Sequence, residues 1–172
     1  MKDAIETLLT RRSVRNFNGK PVPEDVLDTI LKVGTFAPTA KGMQKPVIIA
    51  IKDRKVRDEL AALNAKIMGR EGIDPFYGAP VVILVAVEKY DLSVYDGASV
   101  IANMLDAAWA LGLGSCWVHR AKEELETEFG KNLLKSLGLT GDYVGVGHVA
   151  LGYFDGESPA PKPRKENYIY KI

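Results

Sequence analysis

The chain contains a single cysteine, Cys116, and only two histidines. One cysteine excludes an internal disulfide, and no group of Cys and His residues has the spacing of a zinc site. No apolar run is long enough to cross a bilayer, because Asn103 and Asp106 interrupt the most hydrophobic stretch. The first residues, Met-Lys-Asp-Ala-Ile-Glu, contain no apolar signal core. These features predict a soluble protein in a reducing, cytoplasmic setting, without a membrane partner.

Neither sign of charge is in excess. Lys and Arg total 23 against 22 Asp and Glu, which gives a formal net charge of +1. Such a balance produces no global attraction to nucleic acid. Nucleic acid is therefore not an expected partner.

Hydrophobic residues make up 47% of the 172 residues, enough for the core of one domain spanning residues 1–172. Helical patterns and short β-branched runs alternate, but two helices come first with no strand between them. This order predicts an α+β fold with helices packed about one small sheet. The predicted strands cover residues 47–51, 81–87, 115–118, 143–154 and 168–170. The predicted helices begin near Asp3, Pro23, Asp53, Asp96 and Lys122.

The stretch from Asp96 to about 113 predicts a long helix that is apolar on almost every face. Only Ser99, Asn103 and Asp106 form a thin polar stripe, and the alanines let another backbone come close. A chain of this length can hardly wrap such a helix, so we expect a second copy to cover one side. The alternative, the central core helix of a monomer, has about equal weight from the pattern alone.

Residues 11–15, Arg-Arg-Ser-Val-Arg, follow the first helix. They fit two interpretations. Cations are favourable at a helix C-terminus, and arginine forks with a serine hydroxyl form a phosphate site. In an extended segment Ser13 and Arg15 point to the same side. A second basic cluster, Lys162, Arg164 and Lys165, lies in the proline-rich tail.

Other candidate chemistry is weaker. Gly112-Leu-Gly114 and Gly145-Val-Gly147 lack the third glycine and the strand-to-helix turn of a dinucleotide site. Cys116 and His119 fall on opposite sides of a strand, which favours a structural cysteine over a nucleophile. His148 lies mid-strand and fits a core residue better than a base. The acidic run from Glu123 to Glu128 is expected to form a solvated helix face.

Four motifs together resemble the FMN-dependent nitroreductase family. They are Arg11-Arg-Ser-Val-Arg15, Ala37-Pro-Thr-Ala40 with Gln44, Asp96-Gly-Ala to Gly112-Leu-Gly-Ser-Cys-Trp117, and Lys162-Pro-Arg164. The resemblance spans nearly the whole chain in the family's order. It implies a central small mixed or antiparallel sheet flanked by helices, and a homodimer with the helix of about 96–113 buried in its interface. It also implies an extended tail, 158–172, available for exchange between subunits, and FMN bound between the two protomers.

The resemblance also assigns cofactor-binding residues. Contacts to the flavin phosphate or ring are implied for Arg11, Ser13, Arg15, Arg164 and, more weakly, Lys162. A position bordering the ring and ribityl chain is implied for Arg12. A segment reaching the flavin from the partner subunit is implied for Pro38, Thr39, Ala40 and Gln44. Main chain facing the isoalloxazine ring near N5 is implied for Trp117, Val118, His119 and Arg120.

The implied activity is hydride transfer from NAD(P)H to the flavin, followed by reduction of a nitroaromatic, quinone or other flat acceptor. The flavin carries this chemistry, so no protein nucleophile is required. The His119-Arg120 pair departs from the smaller or acidic residues more usual in the family at the flavin edge. Two alternatives stay open: a relative that uses reduced flavin for dehalogenation or flavin conversion, and a non-catalytic flavin sensor or carrier. A ligand-free helical interaction module would leave both arginine clusters without a purpose.

Overall fold

The computed structural model describes residues 3–172. Its helices are α1 (Ala4–Thr10), α2 (Glu24–Thr35), α3 (Arg54–Ile67), α4 (Ser93–Ala110), α5 (Ala121–Leu125) and α6 (Glu128–Ser136). Its strands are β1 (Pro46–Ile51), β2 (Val81–Glu88), β3 (Gly114–Val118) and β4 (Tyr143–Gly152). Within the described residues every helix is too short or too polar to cross a lipid bilayer.

The four strands form one antiparallel sheet in the order β1-β2-β4-β3. The central strand β2 is buried on both faces from Val81 to Val87, as its continuous apolar run predicts. The β2–β4 register shifts between Val85 and Ala86, so that Val85 faces Gly147 and Ala86 faces Gly145. Val146 is therefore the extra residue of a β-bulge, which changes the alternation of side chains along β4.

Helices cover both faces of the sheet. On one face α2 and α4 pack against Ile83, Val85 and Val149. On the other face α3, α5 and α6 pack against Leu84, Ala150 and Cys116. The α+β prediction is thus confirmed, and the sheet is purely antiparallel.

Close packing of α4 on β4 depends on one glycine. A Cβ at Gly97 would lie 2.4 Å from Val146 Cγ2, well inside van der Waals contact. Glycine therefore lets the helix approach the bulge of β4. This contact fixes the height of α4 above the sheet.

Several predicted boundaries differ from the structure. The long helix begins at Ser93 and ends at Ala110, earlier at both ends than 96–113. β4 ends at Gly152 rather than at Phe154. β1 is half-buried except for Ile51, because it is an edge strand. The acidic helix is interrupted between Leu125 and Glu128, where the Thr127 side chain accepts a hydrogen bond from the N–H of Gly130 and caps α6.

The predicted final strand, 168–170, is wrong. Residues 168–170 have no strand partner and are 68–80% exposed. Tyr-Ile-Tyr has a high β-propensity, but propensity alone does not form a strand without a neighbouring strand. The tail from 159 to 172 is exposed throughout.

Two helices leave apolar surface uncovered. In α1 the Asp3 side chain accepts from the N–H of Glu6, as predicted, yet Ile5, Leu8 and Leu9 are exposed. In α4 one side is buried around Ile101 and Met104. The opposite side, at helical spacing, contains Tyr95, Ser99, Ala102 and Asp106, which are exposed or half-buried. Among residues 3–172, nothing covers this side of α4 completely.

Candidate functional site

The segment after α1 lies along the edge strand β3. Ser13 forms a parallel bridge with Ser115, and the N–H of Val14 donates to the Ser115 carbonyl at 3.0 Å. The Val14 side chain is buried against Gly114, where a Cβ would lie 2.8 Å from it. These contacts hold the backbone extended, so Ser13 and Arg15 project to the same side, as predicted.

Side chains of this segment, from Arg11, Ser13 and Arg15, act on the thiol of Cys116. Burial raises the pKa of Cys116, and this is opposed by the positive charge of Arg15, by a hydrogen bond to Ser13 and by the charge of Arg11. The thiol is 2% exposed and lies next to the carbonyl oxygen of Trp117, at 3.6 Å. A buried thiol with a raised pKa is a poor nucleophile, which agrees with the structural interpretation of Cys116.

Two guanidinium groups in this segment retain unused donors. The Nε of Arg11 lies 3.4 Å from Asp106 on α4, but its buried Nη1 has no hydrogen-bond partner within the described chain. The Nη1 of Arg12 donates to the carbonyls of Leu9 and Arg11, whereas its buried Nε is likewise unpartnered among residues 3–172. Burial raises the pKa of Asp106, against the lowering effect of the Arg11 charge. Buried charged donors without acceptors are costly, so this segment fits an anionic ligand that would satisfy them.

A cavity of about 430 Å³ opens beside this cluster. One wall is Arg15 with the end of β3, residues 116–120, and the opposite wall is the end of α3 with residues 70–77. The Arg15 guanidinium lies 6.0 Å from the ring centroid of Tyr77. The cavity therefore joins a cationic group to a strip of main chain that lines it, residues 116–119.

Trp117 stands at the rim of this cavity and is 39% exposed. Its indole packs on Gly147 of β4, where a Cβ would lie 2.2 Å from the indole Nε1. Glycine at this position is thus required for the orientation of the indole.

The backbone turns sharply after the strip. Arg120 has φ +82° and ψ 7°, the left-handed conformation that favours glycine. For a residue with a side chain this costs about 1–2 kcal/mol. Such strain persists only where surrounding contacts impose it, and it is concentrated at functional sites.

The second predicted segment, residues 37–44, lies elsewhere in the protomer. The N–H of Ala40 donates to Asp96 Oδ1 at 2.9 Å, and Asp96 also accepts a hydrogen bond from the Tyr90 hydroxyl. The N–H of Gln44 donates to Thr39 Oγ1 at 3.1 Å. Lys41, Gly42 and Gln44 have φ values of 52°, 65° and 50°, so the loop is tightly turned.

This loop borders a separate cavity of about 370 Å³ between α2, α4 and β1. Thr39 and Gln44 contribute to its rim, and Ala37, Ile48 and Val100 to its apolar wall. Pro38 is exposed. Within one protomer, Pro38, Thr39, Ala40 and Gln44 therefore do not line the cavity that contains Arg15.

The basic tail makes its own local contact. The Nε and Nη2 of Arg164 donate to the carbonyl of Lys162 at 3.2 and 2.7 Å. Both residues are exposed. The convergence of Arg164 with Arg11 and Arg15 stays a prediction for an assembly of two chains.

Three buried polar residues near the strip were not among the predicted site residues: Asn64, Glu124 and His148, each 0% exposed. The expectation that Glu124 lies on a solvated face is wrong, because α5 turns it toward β4, where its Oε2 lies 2.7 Å from His148 Nε2. The core assignment of His148 is confirmed. The burial of Asn64 could have been predicted from the sequence, because Asn64 falls in the apolar stripe of α3 next to Leu60 and Ala61. Among the described residues no group of three or more His, Cys, Asp or Glu could hold a metal ion.

An antiparallel sheet between two helical layers, with an arginine-bearing cavity at the end of an edge strand, defines the class of this α+β protein. The model of the nitroreductase family matches residues 8–153. The chain therefore belongs to the nitroreductase family, which confirms the resemblance identified from the four motifs.

Individual relatives agree with this. The crystal structure of a nitroreductase with bound FMN from Bacteroides fragilis matches at a TM-score of 0.89 and 27% identity over 100% of both chains. An NADPH-flavin oxidoreductase of Vibrio harveyi is 25% identical over 98% of this chain and 72% of its own length. An FMN reductase (NADPH) of Bacillus subtilis is 28% identical over 73% of this chain and 57% of its own length.

Proposed function

We propose that the protein is an FMN-dependent oxidoreductase that works as a homodimer. It takes a hydride from NAD(P)H and passes it to a nitroaromatic, quinone or similar flat acceptor in a second half-reaction. The observation that carries this proposal is the pair of buried, unpartnered guanidinium nitrogens on Arg11 and Arg12, next to Ser13 and Arg15. The bound FMN of the Bacteroides fragilis nitroreductase and the flavin-reductase names of the other relatives support it.

The residues present fit FMN. Its phosphate is a dianion, which supplies acceptors for the free donors of Arg11 and for the hydroxyl of Ser13. Arg15 at the cavity wall provides a cation that stabilises negative charge on the pyrimidine side of the ring. When bound, FMN supplies the hydride-accepting ring, and the main chain of Trp117, Val118 and His119 forms the surface against which the ring lies.

In this proposal, residues from a second chain complete the FMN site. Thr39 and Gln44 line a different cavity from Arg15 in the protomer, so in this proposal they and their neighbours Pro38 and Ala40 contribute to the site of the other chain. Lys162 and Arg164 lie on a tail that is exposed from residue 159 onward, and supply further cations to the phosphate. The exposed side of α4 is the surface that joins the two chains.

The chemistry needs no acid, base or nucleophile from the protein. The protein's tasks are to hold the phosphate, to keep the ring at the cavity wall and to leave one ring face open. The open face receives NAD(P)H first and the acceptor second, so the two substrates bind in turn at one place. Double-reciprocal plots at varied NADPH and varied acceptor should therefore be parallel.

The experiment that tests the proposal begins with an absorption spectrum of the purified protein titrated with FMN. A bound flavin spectrum, bleached rapidly on anaerobic mixing with NADH or NADPH and restored by menadione or nitrofurazone, is the expected result. A protein that stays colourless and does not retain added FMN would refute the proposal. A flavin that binds but is not bleached would instead make the chain a flavin carrier.

A further inference from the structure

A chain of fully buried polar side chains lies between the sheet and the α3/α5 layer. It joins Asn64 of α3, Glu124 of α5 and His148 of β4, each 0% exposed. The His148 ring packs edge-on against Phe76 at 5.2 Å between centroids. Burying polar and ionisable groups in such an apolar layer costs free energy unless hydrogen bonds satisfy them. Their presence here therefore calls for a structural or functional explanation.

The polar contacts run in one direction, from the sheet toward the cavity. His148 Nε2 lies 2.7 Å from Glu124 Oε2. Asn64 Nδ2 donates to Glu124 Oε1 at 2.5 Å and to the main-chain carbonyl of His119 at 2.9 Å. The chain of contacts therefore ends on the backbone of the cavity wall.

The carboxamide of Asn64 has only one satisfactory orientation. Both groups that it meets, the Glu124 carboxylate and the His119 carbonyl, are acceptors, so its NH₂ group must face them. Its Oδ1 has no hydrogen-bond partner among the described residues, and neither have Glu124 Oε2 and the two ring nitrogens of His148, so His148 and Glu124 are in close polar contact without a formed hydrogen bond. The carboxylate of Glu124 thus fixes the amide, and the amide fixes the carbonyl.

The carbonyl so fixed belongs to the peptide that begins the left-handed turn at Arg120, φ +82°. The peptide is planar and trans, so its N–H points away from the oxygen that Asn64 binds. Holding the oxygen therefore sets the direction of the Arg120 N–H as well. His119 and Arg120 are both cavity-lining residues.

We propose that Asn64, Glu124 and His148 are positioning residues that hold the His119–Arg120 peptide in the orientation required at the flavin edge. The inference rests on the proposed function for the identity of the ligand. It assigns a task to three buried residues, of which only Asn64 borders the cavity. The contact that links them to the site is the Asn64–His119 hydrogen bond.

The test compares Asn64→Leu, Glu124→Leu and Glu124→Gln, with Glu123→Gln as the matched control on the exposed side of α5. Leucine is branched at Cγ like asparagine but is apolar, so it fills the position and removes the hydrogen bonds. Glutamine keeps an acceptor for Asn64, and His148 can accept from its NH₂ by moving its own proton to Nδ1. We expect the FMN dissociation constant to rise by about tenfold in both leucine variants. It should stay within about twofold of wild type in Glu124→Gln and Glu123→Gln.

A second readout does not depend on FMN. Hydrogen exchange of the apo-protein should be faster across residues 117–121 in Asn64→Leu than in Leu27→Ala, which destabilises the opposite core layer. Where the leucine variants fail to fold, Asn64→Ser, whose shorter side chain cannot reach the His119 carbonyl, takes their place. The same local exchange and the same direction of change in FMN affinity are expected.

Three outcomes overturn the inference. The first is a folded Asn64→Leu variant with wild-type FMN affinity. The second is a Glu124→Gln variant as impaired as Glu124→Leu, which would make buried charge rather than hydrogen bonding the cause. The third is unchanged exchange at residues 117–121. Failure of the wild-type protein to bind FMN would refute the proposed function instead, and the exchange experiment would still decide the role of Asn64.

Discussion

At the scale of single residues, the arginines of the 11–15 segment differ in what they already contact. The charge of Arg11 is partly neutralised by Asp106. The Nη1 of Arg12 already donates to two backbone carbonyls, those of Leu9 and Arg11. The guanidinium of Arg15 lies near the Cys116 thiol and the Tyr77 ring at the cavity wall. Arg15 is therefore the cation of the segment whose contribution to a bound ligand is easiest to isolate.

Replacing Arg15 by alanine should weaken FMN binding. One charge-assisted hydrogen bond contributes about 1.5–3 kcal/mol, which corresponds to a rise of about 10- to 100-fold in the dissociation constant. Isothermal titration calorimetry with FMN measures it. Arg54→Ala is the control, because that side chain is 92% exposed. Equal affinities in the two variants would remove Arg15 from the site.

Tyr90 gives a pH-dependent prediction. Burial, and then the hydrogen bond to Asp96, raise its pKa to about 12. The protonated phenol is favoured in the folded state, so its contribution to stability is complete below about pH 10 and is lost as the pH rises through about 12. Tyr90→Phe cannot ionise and should lose less stability than wild type over this interval. Urea unfolding at a series of pH values measures this, and parallel losses in both proteins would contradict it.

At the scale of elements, Asp96 connects the 37–44 loop to the first turn of α4. It is 4% exposed and accepts from the N–H of Ala40 as well as from Tyr90. Within the loop, the N–H groups of Gly42 and Met43 donate to the carbonyls of Thr39 and Ala40. Asp96 supplies the hydrogen bond that ties this turn to α4.

Asp96→Ala should release the loop. Loss of the buried acceptor is expected to lower the free energy of unfolding by about 1–3 kcal/mol and to speed amide exchange across residues 38–44. Asp96→Asn is the control, because its carboxamide oxygen still accepts from the Ala40 N–H. Hydrogen exchange with mass spectrometry compares the two variants. If they exchange alike, the hydrogen bond to Ala40 does not hold the loop.

Elements with a clear apolar period were predicted well from the sequence. β2 and α3 agree closely with the structure because each carries its own pattern and cap: the Asp53 side chain accepts from the N–H of Val56. The failures depend on tertiary context. The burial of Glu124 comes from the way α5 meets β4, and no local pattern distinguishes it from its exposed neighbour Glu123.

At the scale of the whole molecule, apolar and small side chains remain uncovered on α1 and α4. Leu9 is 70% exposed and Tyr95 is 72% exposed, although both belong to strongly helical segments. Such surfaces are typical of protein–protein contacts. The resemblance carried by the four sequence motifs implies a site shared by two chains, whereas the side chains that meet across such an interface follow from no local pattern in one chain.

Ala102→Arg should prevent association, because it places a charged side chain at the middle of the exposed side of α4. We expect a monomer in sedimentation velocity, with FMN affinity reduced together with the dimer. Ala62→Arg on the exposed surface of α3 is the matched control and should remain dimeric. An Ala102→Arg dimer with wild-type FMN affinity would exclude this side of α4 as the interface.

The position of Trp117 on Gly147 gives the protein a built-in optical reporter. The only other tryptophan, Trp109, is 6% exposed and stacks on Phe154 at 6.1 Å. Indole emission overlaps flavin absorption, so a ring bound at the rim should quench Trp117 by energy transfer. Ligand occupancy should then be readable from ultraviolet-excited fluorescence of the unlabelled protein, and Trp117→Phe should reduce the change.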